Sequence, residues 1–127
     1  MNCVDSSGWI EFFLGSQAGL RFKPVIEKSP LLVVPALSIF EVHRFLCRFT
    51  TAERRDDCLN LMCRSAVVDL TRARAVAASE TAQKHALAMA DAVMYSIALE
   101  FGCTFWTQDV DYEGLSGVAY QPKSVPS

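Results

Sequence analysis

Short apolar runs alternate along this chain with longer amphipathic stretches. Asn2–Val4 is a brief apolar run ended by Asp5-Ser6-Ser7-Gly8, and it predicts a first strand. Trp9, Ile10, Phe12, Phe13 and Leu14 follow and predict a short helix closed near Gly15. Ser16 is placed to cap a second helix running to about Lys28. Leu31–Val34, held between Pro30 and Pro35, predicts a strand. Leu37–Phe49 sets Ile39, Val42, Leu46 and Phe49 on one helical face. Thr51 caps a predicted helix from Ala52 to about Arg64, Ala66–Leu70 reads as a strand, and Thr71 caps a helix to about Lys84. Leu87–Phe101 is apolar nearly all round, which predicts a buried helix ended by Gly102. Cys103–Trp106 and Val118–Tyr120 are the last predicted strands. Short apolar strands alternating with helices imply an α/β fold whose parallel sheet is covered on both faces. Such sheets bind ligands beyond the carboxyl ends of their strands, so the residues just after each strand matter most.

Composition narrows the class. The 127 residues are 51% hydrophobic and 20% charged, which suits one folded domain over residues 1–127 and excludes a disordered chain. The net charge is −2 and no Lys/Arg-rich tract exists, so nucleic acid must be met by a local patch. No apolar run approaches the ~20 residues of a membrane span. Met1–Asp5 lacks a basic segment, so no signal peptide is expected there. Cys3, Cys47, Cys58, Cys63 and Cys103 form no CxxC pair and lie away from His43 and His85. Reduced, mostly buried thiols of a cytosolic protein are expected, and no zinc site. Trp9, Phe12, Phe45 and Phe49 are expected in the core.

Several acids sit where solvated charge is not the obvious explanation. Asp5 follows the first strand directly, and helix capping is its bland alternative. Glu41 flanks an apolar stripe, with Arg44 and Arg48 on the same side; an exposed ion pair is the alternative there. Asp91 is the lone charge in Ala86–Met94. A carboxylate buried there costs several kcal/mol unless it is paired or binds a cation. It would instead be a cap if the helix began at Asp91. Asp109 and Asp111 follow the strand Cys103–Trp106, where a turn would also use Asp. A parallel sheet can bring Asp5, Glu41, Asp91 and Asp109 to one rim. Clustered carboxylates repel, and oxygen donors suit Mg²⁺ or Mn²⁺. The residues therefore point to metal-dependent phosphoryl chemistry.

Four segments carry a family resemblance. Val4-Asp5-Ser6-Ser7, Pro35–Val42 around Glu41, Ala88-Met89-Ala90-Asp91-Ala92 and Thr107-Gln108-Asp109-Val110-Asp111-Tyr112 resemble, in order, the four motifs of PIN-domain nucleases. Size and spacing are similar to the VapC-type toxins of VapBC toxin–antitoxin modules. The resemblance implies a three-layer α/β/α fold with strand order 3-2-1-4-5. It implies a Mg²⁺- or Mn²⁺-dependent endoribonuclease whose catalytic and metal-binding acids are Asp5, Glu41, Asp91 and Asp109. Ser7 and Thr107 match hydroxyls that support the acids or contact phosphate, and Asp111 matches a second acid found in many members. Tyr112 stands where the family usually has Phe. An RNA substrate, a cognate antitoxin and a homodimer are the implied partners, with the helices Ala18–Lys28 and Leu37–Phe49 as dimer surfaces. Arg44 and Arg48 are candidates for phosphate binding. The alternatives are a catalytically inactive PIN-like binding module and another acid-cluster phosphohydrolase. A haloacid-dehalogenase-like enzyme would place Asp-x-Asp after the first strand, and Asp5-Ser6-Ser7 lacks the second acid.

Overall fold

A computed structural model of the chain describes residues 1–123. Five strands carry the core: β1 (Asn2–Val4), β2 (Leu32–Pro35), β3 (Ala66–Val68), β4 (Thr104–Thr107) and β5 (Val118–Tyr120). Six helices connect them: α1 (Ser6–Leu14), α2 (Gly19–Ile26), α3 (Ala36–Phe49), α4 (Ala52–Met62), α5 (Arg72–His85) and α6 (Met89–Glu100). All strands are parallel, in the order β3-β2-β1-β4-β5, as the resemblance implies. Central β1 pairs Cys3 with Val33 on one side and Phe105 on the other.

The period of two along each strand splits the core into two halves. Cys3, Val33 and Phe105 face α6 and join Ala92, Val93, Met94, Tyr95, Ile97 and Ala98. Val4, Leu32 and Val34 face the other way and meet Trp9 of α1, Phe22 of α2, Val42 and Leu46 of α3, and Met62 of α4. The result is three layers, with α5 and α6 on one face and α1 to α4 on the other. No helix among the described residues is long and apolar enough to cross a membrane.

Local chemistry sets most boundaries. The hydroxyls of Thr51 and Thr71 accept from the amides of Arg54 and Arg74 at 3.3 and 3.2 Å, capping α4 and α5 as predicted. Gly15, at φ 67°, closes α1. Most other boundaries fall within two residues of the pattern, and three differ for identifiable reasons. The second helix starts at Gly19, because Ser16 first closes a turn by accepting from the Gly19 amide at 3.0 Å. β3 stops at Val68, and its Ala66 and Val67 are exposed on the sheet edge. α6 starts at Met89, because Ala86, at φ 54°, ends α5 in a left-handed residue and Leu87 turns into the core.

Two burial expectations are corrected. All five cysteines are free, but only Cys3 and Cys103 are buried; Cys58 is intermediate, and Cys47 and Cys63 lie exposed on helical outer faces and ends. Trp9 is buried and Phe12 packs partly against the core, yet Phe49, the last residue of α3, is 60% exposed. Phe49 sits at the C-terminal end of α3, where the helix gives way to Thr50. Phe45 is half-buried, and its ring stacks on Phe49 with centroids 5.5 Å apart.

Candidate active site

The parallel sheet delivers its acids to one end. β1 ends at Val4 and Asp5 follows at once, its amide still donating to the Trp106 carbonyl at 2.9 Å. β2 runs straight into α3, which carries Glu41 in its second turn. β4 ends at Thr107, two residues before Asp109. Asp91 lies in the first turn of α6, as the third residue of that helix. These placements put Asp5, Glu41, Asp91 and Asp109 around one open cleft of about 430 Å³, with Ser6, Ser7, Phe40, Arg44 and Arg48 on its walls. Carboxylate oxygens of Asp91, Asp109 and Asp111 lie within 4.8 Å of one another, a grouping that no other trio of acids, histidines or cysteines forms among the described residues.

Each acid is held by short-range bonds. Asp5 is buried, and its backbone starts α1, but its side chain makes no capping bond to that helix. One carboxylate oxygen instead accepts from the Thr107 hydroxyl at 2.9 Å and from the Ser7 hydroxyl at 3.2 Å. The fully buried Thr107 oxygen also accepts from the Asp109 amide at 2.9 Å, so one hydroxyl ties two acids together. Asp109 caps the short 3-10 turn Val110–Tyr112, accepting from the Asp111 amide at 2.9 Å. The turn role and the cleft position therefore coexist, because a carboxylate has acceptor sites to spare. Glu41 accepts from Ser6 at 2.8 Å. Among the described residues the ion pairs are Lys23–Glu27 and Arg74–Glu100, so Arg44 and Arg48 stand beside Glu41 without a carboxylate partner. Asp91 is fixed through its backbone: the buried Tyr112 hydroxyl donates to its carbonyl at 3.0 Å.

Repulsion within this group is visible in its acidity. Burial pushes the Asp5 carboxyl up to about 6, the charge of Asp91 adds to the rise, and the Thr107 and Ser7 hydroxyls oppose it. Burial also raises Asp91, and Asp109, Glu41 and Asp111 all push it the same way. A divalent cation would relieve this repulsion. The donors on the cleft are carboxylate and hydroxyl oxygens, with no thiol or imidazole, which fits a hard ion such as Mg²⁺ or Mn²⁺.

Sequence reasoning missed Ser6, Tyr112 as a clamp, and Phe40. Ser6 stood next to Asp5, but its partner is 35 residues away. Tyr112 stands where the resemblance leads one to expect Phe, and its extra hydroxyl is the atom that reaches the Asp91 carbonyl.

Known proteins place this architecture. The chain resembles a toxin–antitoxin complex from Klebsiella pneumoniae at a TM-score of 0.79 and 17% identity, covering 94% of this chain and 96% of that one. VapC20 of Mycobacterium tuberculosis, a Sarcin-Ricin loop cleaving toxin, gives 0.70 and 15%, covering 89% and 92%. VapBC2 from Rickettsia felis, bound to a DNA fragment from its promoter, gives 0.70 and 10%, covering 95% and 97%. At such identities the likeness is one of fold. No curated protein matches the chain significantly by sequence. A family model does: the one described as PIN domain matches residues 3–118, a span that takes in every acid of the cleft, and the chain therefore belongs to the PIN-domain family.

Proposed function

We propose that this protein is a divalent-metal-dependent endoribonuclease and the toxin of a type II toxin–antitoxin pair. The observation that carries the proposal is the cleft itself: four acids from four separate segments converge at the carboxyl end of a parallel sheet, with two unpaired arginines on its wall. Asp5, Glu41, Asp91 and Asp109 would hold Mg²⁺ or Mn²⁺, with Asp111 close enough to Asp91 and Asp109 to share in it. Bound there, such an ion supplies neutralising charge and an activated water for phosphodiester hydrolysis. The chain's own groups do the positioning. Thr107 holds Asp5 and the Asp109 backbone in fixed relation, Ser7 steadies the same Asp5 oxygen, and Tyr112 pins the start of α6. Arg44 and Arg48 face the cleft to draw in the RNA backbone. The toxin assignment and a cognate antitoxin are supported by the solved structures the fold resembles, which include toxin–antitoxin complexes, and a homodimeric state is what the family resemblance implies.

The test uses purified protein, total RNA and Mn²⁺, with sequencing of the new 5′ ends. Wild type should cut at defined sites, while Asp5→Asn and Asp91→Asn, folded by circular dichroism, should not. Either variant cutting at the wild-type rate would remove that acid from the mechanism. Expressed alone in a bacterium, wild type should slow growth and Asp5→Asn should not; unimpaired growth with abundant wild-type protein would contradict the toxin assignment.

A further inference from the structure

Phe40 is the outlier of the cleft. It is 59% exposed, although the helix that carries it buries Ser38, Val42 and Leu46. It lines the cleft beside Glu41, and its ring has no aromatic partner among the described residues, unlike Phe45 and Phe49, which stack on each other. Phe40, Arg44 and Arg48 follow one another at intervals of four residues on α3. A helix rises 1.5 Å per residue, so these three side chains stand in a row at steps of ~6 Å. That is the scale of one nucleotide along an extended strand.

We propose that Phe40 is a base-stacking platform, and that it selects RNA presenting an unpaired nucleotide next to the phosphate held by Arg44. This rests on the nuclease proposal above and adds the side chain that receives the base. The acids repel a phosphate backbone except at the one phosphate a bound ion would hold, so the flanking phosphates run along Arg44 and Arg48 on the same cleft. A base beside those phosphates carries no charge and offers a flat π-face, which matches an open phenyl ring. In a paired duplex both base faces are covered by their neighbours. Only a loop, bulge or single strand can lay a base on Phe40.

The experiment measures equilibrium binding in EDTA at low salt, where no metal supports cleavage. The probes are a labelled oligoadenylate of about 12 nucleotides, an abasic strand of equal length and charge, and an RNA duplex of the same length. Wild type should prefer the oligoadenylate over both. Phe40→Ala should weaken oligoadenylate binding roughly 5- to 100-fold and leave the abasic strand unchanged, and Phe40→Trp should restore it. Phe40 is exposed, so neither variant should disturb folding. Unchanged oligoadenylate affinity in Phe40→Ala overturns the proposal, as does an equal loss for the abasic strand. A Phe40→Ala variant that changes mass by light scattering but binds RNA as before assigns this face to a second copy of the chain and overturns it too. The underlying nuclease assignment fails separately, by wild type leaving total RNA uncut in Mn²⁺.

Discussion

Asp5 shows how a single residue stores the energetics of this site. Its carboxyl titrates at about 6 in the folded, metal-free protein, against about 3.9 in an unfolded chain. Folding therefore favours the protonated form. The stability this contributes is fully present below pH ~4 and is lost as pH rises through about 6. Asp5→Asn keeps an oxygen for Thr107 and Ser7 but never carries the charge. In EDTA the variant should match wild type near pH 4 and exceed it above pH 7, by on the order of 2–3 kcal/mol. Thermal melts of both proteins across that range check it, and parallel curves would refute it. Asp91 supplies the companion prediction. Mn²⁺ binding only the folded state adds RT ln(1 + [L]/Kd), roughly 2.7 kcal/mol at a hundredfold excess over Kd. Wild type should melt higher in millimolar Mn²⁺, and Asp91→Asn should melt higher than wild type in EDTA yet gain little from the ion. An Asp91→Asn variant that is less stable than wild type in EDTA, with neither protein shifted by Mn²⁺, would count against a metal cluster.

At the scale of elements, the site depends on how closely α1 and α2 approach. α1 carries Ser6 and Ser7 at its first turn, and α2 packs across its far end. Gly19 makes that crossing possible, since a Cβ there would lie 2.3 Å from the Glu11 carbonyl oxygen and 2.9 Å from Phe12 Cα. Both obstacles are backbone and cannot swing aside. Gly19→Ala should therefore force the helices apart and cost about 1–3 kcal/mol, as overpacking does. Denaturant unfolding would show the loss as a lower midpoint, and an unchanged midpoint would mean the crossing is looser than these distances say. The same segment explains a boundary that sequence pattern misplaced. Ser16 is a good capping residue and does accept a backbone bond, but the turn it closes precedes the helix, which starts where the chain meets α1. The left-handed Ala86 is a similar case: nothing about an alanine announces the break between α5 and α6.

At the scale of the whole molecule, several large apolar side chains are left exposed. Leu20 and Phe49 are exposed on α2 and α3, and Val67, Leu70, Val76 and Met89 on the side of β3, α5 and α6. Large exposed apolar residues in groups mark association surfaces. The protein, at 14.0 kDa, should run at twice that mass by light scattering at micromolar concentration. A clean monomer mass would count against the homodimer.

What the sequence determined by itself was the identity of the unusual acids and the order of parts. Asp91, alone among alanines, leucine and methionines, was legible because an isolated charge in an apolar helix has few explanations. The capping threonines and the alternation of strands and helices were legible because caps and periodicity are local physics. Tertiary structure decided the rest. Only the crossovers of the sheet make Thr107 the partner of Asp5 across 102 residues, or Ser6 the partner of Glu41. Only packing shows that Arg44 and Glu41 do not pair, that Phe49 is left exposed, and that three cysteines escape full burial. Burial and hydrogen bonding between distant segments depend on which surfaces meet, and that depends on the fold as a whole.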